Sequence, residues 1–243
     1  MNQYFYALLI SICHWSVALA GITLDSTRLV YPGSARSVDV VLSNTTAGPS
    51  RYLAWIDDGD PAVLPEDASA DFFVFPASGM LAPGRRQMVR AMYRGAALPK
   101  DRESVYYLNV LDLPQKAVSK EDQNTIAIAN RSRIKIFMRP SELAGDPALA
   151  AKKLVWSVDA ASGSAVFRAT NASPYFVSMR SVKLMQGDTE LIDLGVGMVA
   201  PWGKLEFQSQ PGRSDLAGAT AVKYVSVNDY GGSDEQTVAL PPR

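Results

Sequence analysis

From residue 21 onward the chain is written in short apolar–polar alternations, each closed after about ten residues by Gly, Pro, Asn, Asp or Ser. A period of two sends successive side chains to opposite faces, so such a segment can bury one face of a strand but cannot make a helical stripe. In SVDVVL (37–42) the residues Val38, Val40 and Leu42 share a face, and further on Val89, Ala91 and Tyr93 do the same. RYLAWI (51–56) is strand-like and runs into DDGD (57–60), which reads as a solvated turn. An aromatic-rich strand is expected over 104–110, then a polar loop over 115–123. TIAIANRSRIKIFM (125–138) reads as one long strand in which Ile126, Ile128, Ile134 and Ile136 alternate, ended by Arg139 and Pro140. Many short strands with turn residues between them predict a β-sandwich.

The length of 243 residues suits two such units. Between positions 140 and 151 the composition turns to Pro, Gly and Ala, as in an interdomain linker with one helical turn. Beyond it, six short segments have strand character: 154–156, 165–167, 175–177, 190–192, 204–207 and 221–227. The expected organisation is a leader (1–20), an N-terminal domain (21–140), a linker (141–150) and a smaller C-terminal domain (151–243).

The first twenty residues contain no Lys, Arg, Asp or Glu, carry an apolar run over 4–13 and finish on Ala18-Leu19-Ala20. This reads as a secretory signal peptide cut before Gly21. The run falls short of the roughly 20 apolar residues that span a bilayer. Its removal takes away Cys13 and His14, the one cysteine and the one histidine of the chain. Without thiol or imidazole there is no Ser-His-Asp or Cys-His nucleophile, no zinc site of Cys and His, and no disulfide. No catalytic residue, metal or cofactor is therefore expected. The DDGD run lacks the spaced ligands of a calcium loop, and no acid–base carboxylate pair stands out. Lys plus Arg and Asp plus Glu both number 24, so no net field draws nucleic acid. With 47% apolar residues, hydrophobic cores can hold the domains. Trp55, Trp156 and Trp202 could stack on sugars in an exported adhesion or carbohydrate-binding module, the alternative of a different class, but core packing is the expectation for all three.

The segment LPKDRESVYYLNVLDLP (98–114) resembles the signature stretch of PapD-type periplasmic pilus chaperones and departs from it only at Gln115. GITLDSTR (21–28), WIDDG (55–59), RIKIFMRP (133–140) and NDYGG (228–232) accompany it in the order of that family. The resemblance implies an all-β protein of two immunoglobulin-like β-sandwich domains in a boomerang arrangement. It implies a non-enzymatic function in the periplasm: binding, folding and capping pilin subunits by donor-strand complementation and delivering them to an outer-membrane usher. No small-molecule substrate is implied. Arg28 and Lys135 fall where the family holds the terminal carboxylate of the subunit, and Ile126 and Ile128 fall on the donor strand. Asn130 stands where a third apolar anchor is usual. Glu103, Arg139 and Asp229 align with an interdomain ion-pair network, expected to be exposed and to orient rather than stabilise. The short loop without cysteine resembles the subclass that builds rod-type pili. Whether the free protein self-associates over its own donor strand stays open.

Overall fold

The alternating segments become strands. The protein was studied as a computed structural model, which describes residues 21–69, 71–95, 97–114, 129–161, 164–208 and 218–241. In the first half, β1 (Ile22–Leu24), β3 (Val38–Asn44), β5 (Phe72–Phe75) and β7 (Arg86–Tyr93) form a sheet in the order β1-β3-β7-β5. The facing sheet contains β2 (Arg28–Pro32), β4 (Ser50–Asp57), β6 (Ser78–Leu81), β8 (Ser104–Pro114) and β9 (Asn130–Arg139), in the order β2-β9-β8-β4-β6. The chain changes sheets between β1 and β2. Asp25 fixes that crossover, its N–H donating to the Val41 carbonyl and its carboxylate accepting from the Val41 N–H, both at 3.1 Å.

The predicted faces make the first core. Val40, Leu42, Val89 and Ala91 from one sheet meet Tyr52, Ile56, Leu108, Val110 and Ile136 from the other. On β9 the pleat divides the labour: Ile134, Ile136 and Met138 enter this core, while the odd-numbered Arg133, Lys135, Phe137 and Arg139 take the opposite face.

The second half repeats the architecture. β10 (Val155–Ala161), β11 (Ser164–Thr170) and β14 (Lys204–Gln208) form one sheet in the order β10-β11-β14. β12 (Val177–Gln186), β13 (Thr189–Val199), β15 (Ala221–Val227) and β16 (Ser233–Ala239) form the other in the order β13-β12-β15-β16. Its core gathers around Trp156, whose ring lies 5.9 Å from Phe207 and 5.5 Å from Tyr224. Such aromatic groupings carry much of a small core's burial. Six strands were expected here; the seventh, β16, reads SDEQTVA and, among the described residues, is an edge strand paired with β15. Its exposed positions erase the alternation that would have marked it. Residues Tyr175 and Phe176 precede β12 instead of belonging to it.

The linker is docked rather than free. Asp146 caps the short helix α1 (Pro147–Ala150), accepting from the Ala148 N–H at 2.9 Å with Pro147 in the first turn. The Tyr175 hydroxyl donates to the Gly145 carbonyl at 3.2 Å and the Tyr224 hydroxyl to the Ala151 carbonyl at 2.7 Å, tying this segment to the second core. Trp55 and Trp156 are each 4% exposed, as core packing requires, but Trp202 is 52% exposed and corrects that expectation. It occupies the turn after β13 at φ 56°, where its N–H donates to the Ser173 carbonyl. No helix among the described residues is long and apolar enough to cross a membrane.

Candidate functional site

The odd face of β9 is where the two domains meet. Phe137 packs on Phe176 with ring centres 5.8 Å apart, joining two stretches, 125–138 and 175–177, that the sequence assigns to separate domains. Phe137 was missed as a site residue. The signal was available: an apolar residue at odd parity on a strand whose even positions fill the core must be covered by something else.

Beside this contact lies a cleft of about 410 Å³, bordered by Arg28, Phe137, Phe176, Ser178, Val227 and Asp229. Arg28 opens β2, and parallel pairing sets it directly opposite Lys135 on β9. Adjacent partners in a sheet share a face, so both cations turn toward the second domain. Arg28 Nη1 donates to the Val227 carbonyl at 2.8 Å, and its Nε is buried with no hydrogen-bond partner. Lys135 Nζ approaches the Ser178 hydroxyl at 3.4 Å. Neither cation makes an ion pair with a carboxylate among the described residues. Burial lowers the pKa of Lys135, and the neighbouring charges of Arg28 and then Arg133 lower it further. Burial likewise lowers that of Arg28, with Asp229 opposing. Two desolvated cations side by side can receive an anion.

The edge geometry gives the site a direction. β2 covers β9 only from Lys135 to Arg139, whereas β8 pairs with β9 from Asn130 to Met138. Among the described residues, the other edge of β9 over 130–134 carries no strand, and Asn130 is exposed at its start. Arg28 and Lys135 therefore mark the point at which, among the described residues, a covered edge becomes an open one. Ile126 and Ile128 lie outside the described residues.

Glu103, Arg139 and Asp229 come together. Arg139 Nε donates to Glu103 Oε1 at 2.6 Å, while its two terminal nitrogens engage Asp229 at 2.6 and 3.0 Å. Glu103 Oε2 accepts the Phe176 N–H at 2.8 Å, and the Glu103 N–H donates to the Pro174 carbonyl at 2.9 Å. The expectation of exposed charges is corrected here, because Glu103 is 3% exposed. Burial pushes its pKa up against the restraint of Arg139. Burial alone would lower the pKa of Arg139, but the bonds and charges of Asp229 and Glu103 outweigh it and hold the guanidinium above its ordinary value.

The solvated-turn expectation also fails for Asp57, which is 1% exposed at the end of β4. Arg133 binds both of its oxygens, Asn109 donates at 2.6 Å and the Gly59 N–H at 2.8 Å. Burial raises the Asp57 pKa, yet these donors together bring it below the ordinary value. Arg133 lies 3.6 Å over the Tyr107 ring. Its charge is thus spent locally, whereas Arg28 and Lys135 form no ion pair among the described residues.

Comparison with known proteins follows the same outline. Residues 21–144 match the family described as "Pili and flagellar-assembly chaperone, PapD N-terminal domain", and residues 149–238 match "Pili assembly chaperone PapD, C-terminal domain". The chain is 33% identical to the "Probable fimbrial chaperone YadV" of Escherichia coli K12, covering 93% of this chain and 92% of that one. It is 31% identical to the "Chaperone protein FimB/FhaD" of Bordetella pertussis, over 92% and 89%. The crystal structure of the Pseudomonas aeruginosa CupB2 chaperone superposes with a TM-score of 0.74 at 35% identity, covering 90% of this chain and all of that one. Two matched domains, full-length relatives and a shared two-sandwich fold lead to one conclusion: the chain belongs to the PapD family of pilus-assembly chaperones.

Proposed function

We propose that this protein captures pilin subunits in the periplasm by gripping the C-terminal carboxylate between Arg28 and Lys135 while the subunit's last strand pairs with the open edge of β9. The observation that carries the reading is the parallel register of Arg28 and Lys135, two desolvated cations that form no ion pair among the described residues, at the end of that edge. A carboxylate is acceptor-only and takes charge-assisted bonds from both cations. With its end fixed there and its body along 134–130, the incoming strand runs parallel to β9 and lies in line with β2. Fixing the end fixes the register, and register decides which subunit pocket each donor side chain fills.

Ile126 and Ile128 serve as donor anchors in this reading, since in sequence they keep the even parity of Ile134 and Ile136. The network of Glu103, Arg139 and Asp229 fixes the angle between the domains and so keeps the cleft open. Export through a leader cut before Gly21, and delivery to an outer-membrane usher, complete the reading on family membership. The protein acts by binding, not by catalysis.

Co-expression with a pilin subunit tests the carboxylate grip. Arg28→Ala and Lys135→Ala each remove one cation from a desolvated anion, a cost of about 2–5 kcal/mol, hence at least about thirtyfold in affinity. A subunit extended beyond its native C-terminus should lose binding to the same degree. Unchanged subunit recovery with folded variants would rule the grip out.

A further inference from the structure

A buried carboxylate sits at the start of the first domain. Asp112 on β8 is 4% exposed. One oxygen accepts a short hydrogen bond from the Ser50 hydroxyl and the other accepts the Ile22 N–H at 2.9 Å. Among the described residues no Lys or Arg forms an ion pair with it. A buried carboxylate without a cation is costly, so its position asks for a positive charge.

Gly21 is the residue pressed against it. A Cβ at Gly21 would lie 1.6 Å from Asp112 Oδ2, so no side chain fits there, and covalent geometry then puts the Gly21 nitrogen within about 4 Å of that oxygen. Gly21 is also held from the other side, its carbonyl accepting from the Thr45 N–H at 3.3 Å and the Thr45 hydroxyl at 3.0 Å. The residue the leader is expected to be cut from is thus clamped between Thr45, just after β3, and a buried acid.

We propose that Asp112 is the receptor for the α-ammonium created on Gly21 when the leader is removed, so that processing itself completes the first domain. The inference rests on the export reading above. Hydrolysis of the Ala20–Gly21 peptide adds one water: Ala20 leaves as a carboxylate, and the Gly21 nitrogen, until then a neutral amide, becomes an ammonium at neutral pH. That cation pairs with Asp112, while Ile22 and Ser50 satisfy the remaining lone pairs. The pair fastens β1 of one sheet to β8 of the other. It does so at the Asp112 position directly opposite Asn130, where the open edge of β9 begins. A chain that lacks this pair until its leader is gone stays easier to unfold during export and tightens afterwards.

The test uses the processed protein, its first residue established by intact mass, and the same chain retaining Ala20. Each is prepared with Asp112 and with Asp112→Asn, and urea unfolding is followed at pH 7. Retention of Ala20 is expected to reduce the folded-to-unfolded ratio at least tenfold with Asp112 and less than twofold with Asn. The α-amino group of Gly21, titrated by NMR in the wild-type chain, is expected at least one unit above its ordinary value of about 7.7–8.0. A raised ammonium pKa gives stability that is complete below the unfolded value and lost as pH rises through the folded one. Equal cost of the extra residue in both backgrounds, an ordinary titration, or a mature chain that starts elsewhere would each overturn the proposal. The titration needs no variant, so it decides the question even if Asp112→Asn does not fold. Loss of subunit capture by the processed wild type would instead count against the chaperone reading, with the titration unaffected.

Discussion

Replacing Arg139 by Met isolates the contribution of the interdomain network. The Glu103 side chain is 1% exposed and keeps only the Phe176 N–H once the guanidinium is gone. Breaking one partner of a buried pair costs about 3–5 kcal/mol, because the remaining charge is left uncompensated. Asp229, at 31% side-chain exposure, retains solvent and adds no more than about 1 kcal/mol. The expected loss is therefore about 3–5 kcal/mol near pH 8, a fall in Tm on the order of 10 °C. The pH dependence has a definite sign. Burial already raises the Glu103 pKa, and removal of Arg139 raises it further. A raised carboxyl pKa favours the folded state below the unfolded value of about 4.3, and that advantage is lost as pH rises through the folded value. The variant should therefore regain much of its stability on acidification from pH 8 toward pH 5, where protonated Glu103 needs no cation. Trp55 and Trp156, each 4% exposed and one in each domain, report the two unfolding events by fluorescence once Trp202 is replaced by Phe. Arg139→Met with Glu103→Gln removes both charges and should recover most of the loss. A single variant as stable as wild type at pH 8, or a double variant no better than the single, would refute this account.

Lys135→Met should stabilise the free protein by about 0.5–2 kcal/mol while weakening subunit capture at least about thirtyfold, because it removes a cation desolvated beside Arg28 and Arg133. In wild type the depressed Lys135 pKa makes stability rise with pH between its folded value and the unfolded value near 10.4, and chemical denaturation across pH 7–10 should show that slope vanish in Lys135→Met. Arg133→Met strands the buried Asp57 carboxylate, and urea unfolding should register a loss of about 3 kcal/mol. Asp57→Asn should flatten the acid limb of the stability profile, since the depressed Asp57 pKa contributes stability above about pH 4 that is lost as pH falls through the folded value.

Two layers of the fold were legible in the sequence. Val38, Val40 and Leu42, or Ile134 and Ile136, state their strand and its buried face, because a pleat of period two leaves no other way to cover them. Positions 1–20 hold the one cysteine and the one histidine of the chain, so the sequence also states what a processed chain would lack. The resemblance over 98–114, 133–140 and 228–232 named Glu103, Arg139 and Asp229 as one group. It did not carry their burial, which depends on Pro174 and Phe176 closing over Glu103 from the other domain.

The remaining misses have a common cause. Asp57 reads as a turn aspartate until β9 delivers Arg133 to it from 76 positions away. Polar β16 reads as loop because an edge strand can wet one side. Gly21 reads as the small residue that follows a leader until β8 sets Asp112 against it. By itself the sequence determined the longer alternating strands, the faces they bury and the family resemblance, because those properties are local or carried by contiguous residues. Only the tertiary structure decided which charges are neutralised and which are left waiting. Arg133 and Lys135 are neighbours of like parity on one strand, and only the opposing Asp57 or Arg28 gives one a partner and leaves the other without one.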